Sequence, residues 1–516
     1  LFGEFLQRTE RELLDKNYEY VVSHELFHEW FGDLVTCESW SNLPLNESFA
    51  TYGEYLWDEH KLGKDEADYT TITELNNYMG ESMGKQEPLI RFYYKDREDM
   101  FDAHSYAKGG LILHMLRKYV GDEAFFESLK LYLNTNKFKS VEIHNLRLAF
   151  EEVTGEDLNW FFNQWFMSAG HPQLTVTHTW AAGTLSMNVT QNQDTLYSPV
   201  YRLPLYIEYH SGGQVHRQHI NITKAQQSFT FPASTNPDYV LFDSEQQLVG
   251  VIDHVKTKSE LFGQFKYSGN VKARLQALQG LKKNFMEPDR MKVYTEALND
   301  KFWGIRNYAM ETVAGDSAAI AANKARVLDI AVNDPKPTVR AEAISSLFSL
   351  KDPAHKTIFE KALTAKSYEV NAAGLTQFLL GNSTAKEKNA IIAPFENSNN
   401  SDLTGVIAEY YNESREAGHS EWFEKRIKQC TGEGKYVAIQ YYGKYITHRP
   451  EEERAKGSLL LYDVAKNGAT MSARYTAYKA LHLNRDVAGN DARLKEIREN
   501  EKSATLKQYY EMIGTK

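Results

Sequence analysis

Val21-Val-Ser-His24-Glu25-Leu-Phe-His28-Glu-Trp30 decides how the chain is read. Its core, His24-Glu25-Leu26-Phe27-His28, sets two histidines four residues apart with a glutamate directly after the first. On a helix, positions i and i+4 share one face, so both imidazoles can reach one metal ion. Glu25 sits about 100° round the helix from His24. Its carboxylate then stands beside the metal without ligating it, placed to take a proton from water activated there. The apolar spacing predicts a helix from about Tyr18 to Val35, burying Val21, Val22, Leu26, Phe27, Trp30, Phe31 and Leu34. The plain alternative is an amphipathic helix with solvated histidines. Imidazoles set within an apolar face need partners, however, and a metal supplies one to both.

Downstream, Trp40-Ser-Asn-Leu-Pro-Leu-Asn-Glu47-Ser-Phe-Ala-Thr-Tyr-Gly-Glu54 predicts a second helix, entered near Pro44 and carrying Glu47 in its first turns. Catalytic zinc takes three protein ligands and keeps a fourth position for water, and two histidines with one glutamate is an attested set. Glu47, with 18 residues between it and His28, is the expected third ligand of a single zinc ion. A solvated helix-start glutamate is the default for an isolated residue. Leu43, Leu45, Phe49 and Ala50 around Glu47 argue against that default.

Taken together these residues resemble the gluzincin aminopeptidase family, which includes alanyl and glutamyl aminopeptidases and the leukotriene hydrolase. The likeness rests on H-E-x-x-H, the 18-residue gap, Asn46-Glu47 within W-x-x-L-x-L-N-E-x-F-A, and Trp30-Phe-Gly-Asp-Leu-Val-Thr36. Ser48 stands where the family usually has glycine, a small change of little expected consequence. The resemblance implies zinc on His24, His28 and Glu47, with Glu25 as general base. It further implies a role for Tyr106, within Tyr106-Ala-Lys108-Gly109-Gly and ahead of Met115-Leu116. The phenol would donate a hydrogen bond to the tetrahedral oxyanion. Apart from the resemblance, a tyrosine beside a Gly-Gly helix start reads as packing. His104 is expected to be a loop histidine. Trp165, Gly170 and Pro172 resemble the W-x-x-x-x-G-x-P close of the family's catalytic domain. The family's Gly-x-Met-Glu-Asn segment, which helps hold the substrate's α-amine, does not occur here. The resemblance therefore implies a longer enzyme whose missing N-terminal part packs against residues 1–171.

The 516 residues exceed one ordinary core and point to several domains. Apolar content of 42% and charged content of 25% are those of a soluble globular protein. A net charge of −10, with no Lys/Arg-rich run, argues against nucleic acid as a partner. No apolar run approaches the ~18 residues of a transmembrane helix. Cys37 and Cys430 are too few for a disulfide framework, and no compartment follows from the sequence.

The expected architecture is multidomain and mainly α. Residues 1–171 would form the C-terminal part of a thermolysin-like zinc catalytic domain, with helices broken by polar connections near residues 61–65 and 95–99. Across 172–255 the period changes to two, as in Leu174, Val176 and His178 and again in Leu185, Met187 and Val189. That predicts a small β-sandwich, read as a spacer. A polar link is expected over 254–262. Residues 256–516 turn helical and repeat. Val271, Ile305, Val339 and Val370 head similar segments at spacings of 34, 34 and 31, with Ala473–Leu481 a further member, as in a HEAT-like α-helical superhelix.

The expected function is a zinc aminopeptidase removing N-terminal residues from peptides with a free N-terminus. A zinc endopeptidase or a leukotriene-type epoxide hydrolase would use the same metal. A non-catalytic α-solenoid scaffold is a remote alternative, disfavoured because the ligands, the base and the tyrosine are all present.

Overall fold

The structure is a computed structural model that describes residues 3–514; Leu1, Phe2, Thr515 and Lys516 lie outside the described residues. It is mainly helical with a small β region. Two compact units divide the chain: residues 18–309 form one, and residues 3–17 with 310–514 the other.

In the first unit, α1 (Glu19–Phe27) carries the two histidines and packs on α2 (Pro44–Lys61). Pro44 opens α2, where its missing N–H would be unpaired in any case. The helix expected to reach Val35 stops at Phe27. Beyond it the chain folds into tight turns, with the Asp33 N–H donating to the His28 carbonyl at 2.8 Å. Gly32, at φ +154°, takes a conformation that side-chain-bearing residues avoid. The turn carries Phe31 into the core, where its ring stacks on Phe49 at 4.1 Å between centroids. The predicted buried face is corrected as well. Val22 and Leu26 on α1 and Trp30 in the turn after it are 46%, 54% and 43% exposed; α2 covers only one side of this short helix.

α3 (Lys64–Ser82) is followed by an irregular stretch, a short turn at Arg97–Met100 and a π-helical turn at His104–Lys108. α4 (Gly109–Val120), α5 (Asp122–Asn136), α6 (Ile143–Thr154) and α7 (Asn159–Trp165) complete the helical layer. Thr36–Cys37 (β1) pairs in parallel with Ser140–Val141 (β2) beside α2.

The alternating segment forms β3 (Gln173–Ala181), β4 (Thr184–Gln191), β5 (Leu203–Ser211), β6 (Gln214–Ile222), β7 (Gln226–Pro232), β8 (Tyr239–Leu241) and β9 (Val251–His254). They make a four-stranded sheet of order β7-β4-β3-β9 and a three-stranded sheet of order β6-β5-β8. Register follows the apolar alternation: Val176 faces Val189, and both are buried with Leu174, Leu185 and Met187. β6 escapes the pattern because its sequence is polar through most of its length; it is an edge strand held by β5. A continuous apolar core runs from Phe31 to Val249, under helices and sheets alike.

The polar link expected over 254–262 is much shorter. β9 runs through His254, and α8 (Lys258–Tyr267) begins after three residues of coil. Thr257 and Glu260 form a reciprocal capping box, so polarity that suggests a linker belongs to a helix start. α9 (Val271–Leu281), α10 (Pro288–Ala297) and α11 (Trp303–Ala314) follow, and the Trp303 indole N–H donates to Glu66 of α3 at 2.7 Å.

The second unit is helical. Val339 and Val370 lie fully buried in the helices Pro337–Ser346 and Tyr368–Leu380. Residues before α1 belong to this unit. Asp15 accepts from the Ser367 hydroxyl at 2.5 Å and the Tyr368 N–H at 2.7 Å, an acid at a helix N-terminus. The Arg11 guanidinium lies 3.8 Å from the centre of the Tyr368 ring.

Candidate metal centre

Helices α1 and α2 bring His24, His28 and Glu47 to one point. Glu47 Oε2 lies 3.3 Å from His24 Nε2 and 3.4 Å from His28 Nε2. The opposite ring nitrogens are engaged elsewhere: His24 Nδ1 meets Glu54 Oε1 at 2.9 Å, and His28 Nδ1 the Phe31 carbonyl at 3.1 Å. Acceptors at Nδ1 place the proton there and turn both Nε2 lone pairs toward Glu47.

The charges agree with that geometry. Burial works against protonating His24, but hydrogen bonds to Glu47 and Glu54 outweigh it and hold the ring up at about 9. Burial likewise works against ionising Glu47, and its bonds to the two histidines hold it down at about 2. The cluster therefore calls for positive charge against Glu47. A divalent ion meets that demand with both imidazoles neutral, and ligand deprotonation is part of metal binding. Two imidazoles seated through Nδ1 and one carboxylate are a donor set that fits zinc.

Two more expected residues flank this point. Glu25 follows His24 on α1 and is half-buried. The Tyr106 ring lies parallel to the His24 ring, 5.9 Å between centroids. Burial, with Glu47 and Glu25 adding, raises the Tyr106 phenol far above its ordinary value. It keeps its proton at neutral pH and can donate. The π turn that carries it is a form common at functional sites.

Sequence reasoning passed over the support around these groups. Glu54 lies two turns after Glu47 along one face of α2, and that spacing is the signal that could have found it. Glu74 on α3 adds to the acidic surroundings; burial, with the charge of Glu54, raises it to about 7. Asp102, just before the π turn, accepts from Arg91 at 2.7 and 3.1 Å, from Lys85, and from the Ser105 N–H at 2.9 Å. His104 is fully buried rather than a loop histidine: its Nδ1 pairs with Glu81 at 2.6 Å and its Nε2 accepts from the Glu87 N–H at 3.3 Å. Glu81, Asp102 and His104 are close enough to suggest a second metal set. Both nitrogens of His104 are occupied, however, and Arg91 and Lys85 already supply the positive charge. This group is a scaffold for the turn.

A two-histidine, one-glutamate centre with a glutamate beside the first histidine is the kind of site found in mononuclear metallopeptidases. Residues 6–165 match the family described as "Peptidase family M1 domain". Among curated relatives, "Probable aminopeptidase 1" of Sulfurisphaera tokodaii is 35% identical over 197 residues, 36% of this chain and 24% of that protein. "Aminopeptidase N" of Streptomyces lividans is 36% identical over 169 residues, 31% of this chain and 20% of that protein. The matches thus span about a quarter or less of those relatives' length. The crystal structure of Legionella pneumophila aminopeptidase A in complex with aspartic acid has a similar fold, with a TM-score of 0.62 at 16% identity over 100% of this chain and 67% of that one.

Proposed function

We propose that the chain carries the zinc centre of an aminopeptidase that releases N-terminal residues from peptides. The observation that carries this reading is the convergence of His24 Nε2 and His28 Nε2 on one oxygen of Glu47, inside the stretch 6–165 that matches the Peptidase family M1 domain. His24, His28 and Glu47 would hold the ion. Zinc, when bound, supplies a Lewis acid that acidifies water and polarises the scissile carbonyl. Glu25 takes the proton of the attacking water and afterwards delivers it to the leaving amine. Tyr106 donates its phenolic hydrogen to the oxygen that gains charge. Glu54 holds the His24 ring by its Nδ1–H and so fixes the nitrogen presented to the ion. The names of the relatives support cleavage at a free N-terminus.

The same reading divides the chain at 171/172 and 255/256. A thermolysin-like catalytic part, a β-sandwich and a HEAT-like superhelix follow one another. The last helix before the strands ends at Trp165, β3 begins at Gln173 and helix returns at Lys258, which supports these limits.

Hydrolysis of aminoacyl-anilides and their N-acetylated forms by the full-length protein, with and without chelator, tests the function. Chelator-sensitive cleavage of the free-amine substrates alone is the expected result. Equal cleavage of blocked internal peptides would make it an endopeptidase. Metal bound without any cleavage would overturn the enzymatic reading.

A further inference from the structure

Ser48 follows the proposed ligand Glu47 on α2, and its side chain has no exposed surface. Its hydroxyl donates to the carbonyl oxygen of Ser105 at 2.7 Å. Ser105 immediately precedes Tyr106 in the π turn, where backbone bonding shifts from i→i+4 to i→i+5; the Lys108 N–H reaches the Ala103 carbonyl at 2.9 Å. The far side of the turn is held by other groups: Asp102 accepts the Ser105 N–H, and Arg91 donates to the Ser105 hydroxyl at 3.2 Å. On the near side the two elements almost touch. A Cβ added to Gly109 would lie 1.8 Å from Ser48 Oγ, so glycine there lets the turn approach the serine. At position 48 a glycine, the residue expected from the family pattern, offers no donor to Ser105. This chain has a hydroxyl there, aimed at the backbone of the residue next to the tyrosine.

We propose that Ser48 is a positioning residue. Its hydroxyl ties the helix that presents Glu47 to the turn that presents Tyr106, and so sets where the phenol stands relative to the metal centre. The inference rests on the zinc-peptidase reading. A donor to a developing oxyanion acts through its placement, and misplacement by about 1 Å can cost on the order of a hundredfold in rate. Ser48 touches no reacting atom, so its effect falls on kcat more than on KM.

The test uses the full-length protein and the variants Ser48→Ala, Ser48→Gly, Tyr106→Phe and Ser48→Ala/Tyr106→Phe. Ser48→Gly removes the same hydroxyl with no added volume, and serves if the alanine variant does not fold. Either single variant at Ser48 is expected to lower kcat about tenfold with KM within about twofold. In the Tyr106→Phe background, loss of the hydroxyl is expected to change kcat little, because the group it positions is gone. Hydrogen exchange of chelator-treated protein supplies a readout independent of activity. The amides of residues 103–110 are expected to exchange several-fold faster in the Ser48 variants. Equal losses of kcat in both backgrounds, an unchanged kcat, or unchanged exchange over 103–110 would overturn the proposal and leave the zinc-peptidase reading standing. That reading fails separately, if neither chelation nor Glu25→Gln affects hydrolysis by the parent protein.

Discussion

The ammonium of Lys108 donates to the carbonyl oxygen of Gly170 at 2.9 Å, from a side chain with no exposed surface. Burial, with the charge of Arg91 adding, brings its pKa down to about 7. The folded value is depressed, so between about pH 7 and pH 10.5 the unfolded chain binds a proton that the folded chain has released. Stability contributed by this group therefore rises with pH across that window. The urea midpoint should increase from about pH 7 to about pH 9, and Lys108→Met should show a smaller increase. An identical slope in the variant would show that Lys108 does not titrate there.

Replacing Glu25 by Gln keeps the shape of the side chain but removes its ability to take a proton. Peptide hydrolysis is expected to fall by about 10²–10⁴. Bound zinc, measured by atomic absorption, should stay at the parent level. Loss of metal in step with activity would make Glu25 a structural group instead of the base.

Glu54→Ala removes the acceptor at His24 Nδ1 without touching a proposed ligand. Zinc affinity, measured by competition with a chromophoric chelator, should weaken about 10–100-fold. Glu54→Gln should lie between the two, since its amide oxygen still accepts the Nδ1–H. Equal affinities for all three proteins would dismiss the second-layer role of Glu54.

His254 ends β9 with its Nε2 2.8 Å from His178 Nδ1, and His178 Nε2 meets Glu260 at 2.5 Å. Burial, then the charges of Lys256 and His178, lower the His254 ring to about 3. The folded value is depressed below the ordinary 6.5, so stability is held above about pH 6.5 and lost as pH falls toward 3. The denaturation midpoint should drop between about pH 7 and pH 5, and His254→Gln should drop less. A parallel drop in the variant would place the acid sensitivity elsewhere.

What was legible in the sequence is what spacing dictates. The i, i+4 histidines, the glutamate opening the next helix and the alternation of β3 and β4 each follow from a period that survives tertiary context. The end of α1 was not legible, because the apolar pattern continues through Phe31 and Leu34 although the backbone turns at Gly32. The same residues are buried by a turn instead of a helix, and hydrophobicity alone does not distinguish the two. β6 carries no such alternation, for the opposite reason: pairing with β5 supplies its stability, and its own side chains mostly face solvent. Around the candidate site, the side chains proposed to bind metal and react were visible, whereas those that hold them were not. Asp102, Arg91 and Glu81 come from separate segments and meet only when the turn before α4 has folded. Ser48 looked inconsequential because its partner is a backbone carbonyl 57 residues away, which no side-chain motif records.

The π turn at His104–Lys108 has a consequence for how the site tolerates change in chain length. An i→i+5 turn holds one residue more than the helix that continues from it. Deleting any residue of that turn would leave α4 free to extend as ordinary helix, yet would rotate everything before it by about 100°. A different side chain would then face His24, with the composition of the neighbourhood almost unchanged. The aim of the phenol is thus encoded as a count of backbone units. A single-codon deletion in this stretch should be far more damaging than most substitutions within it.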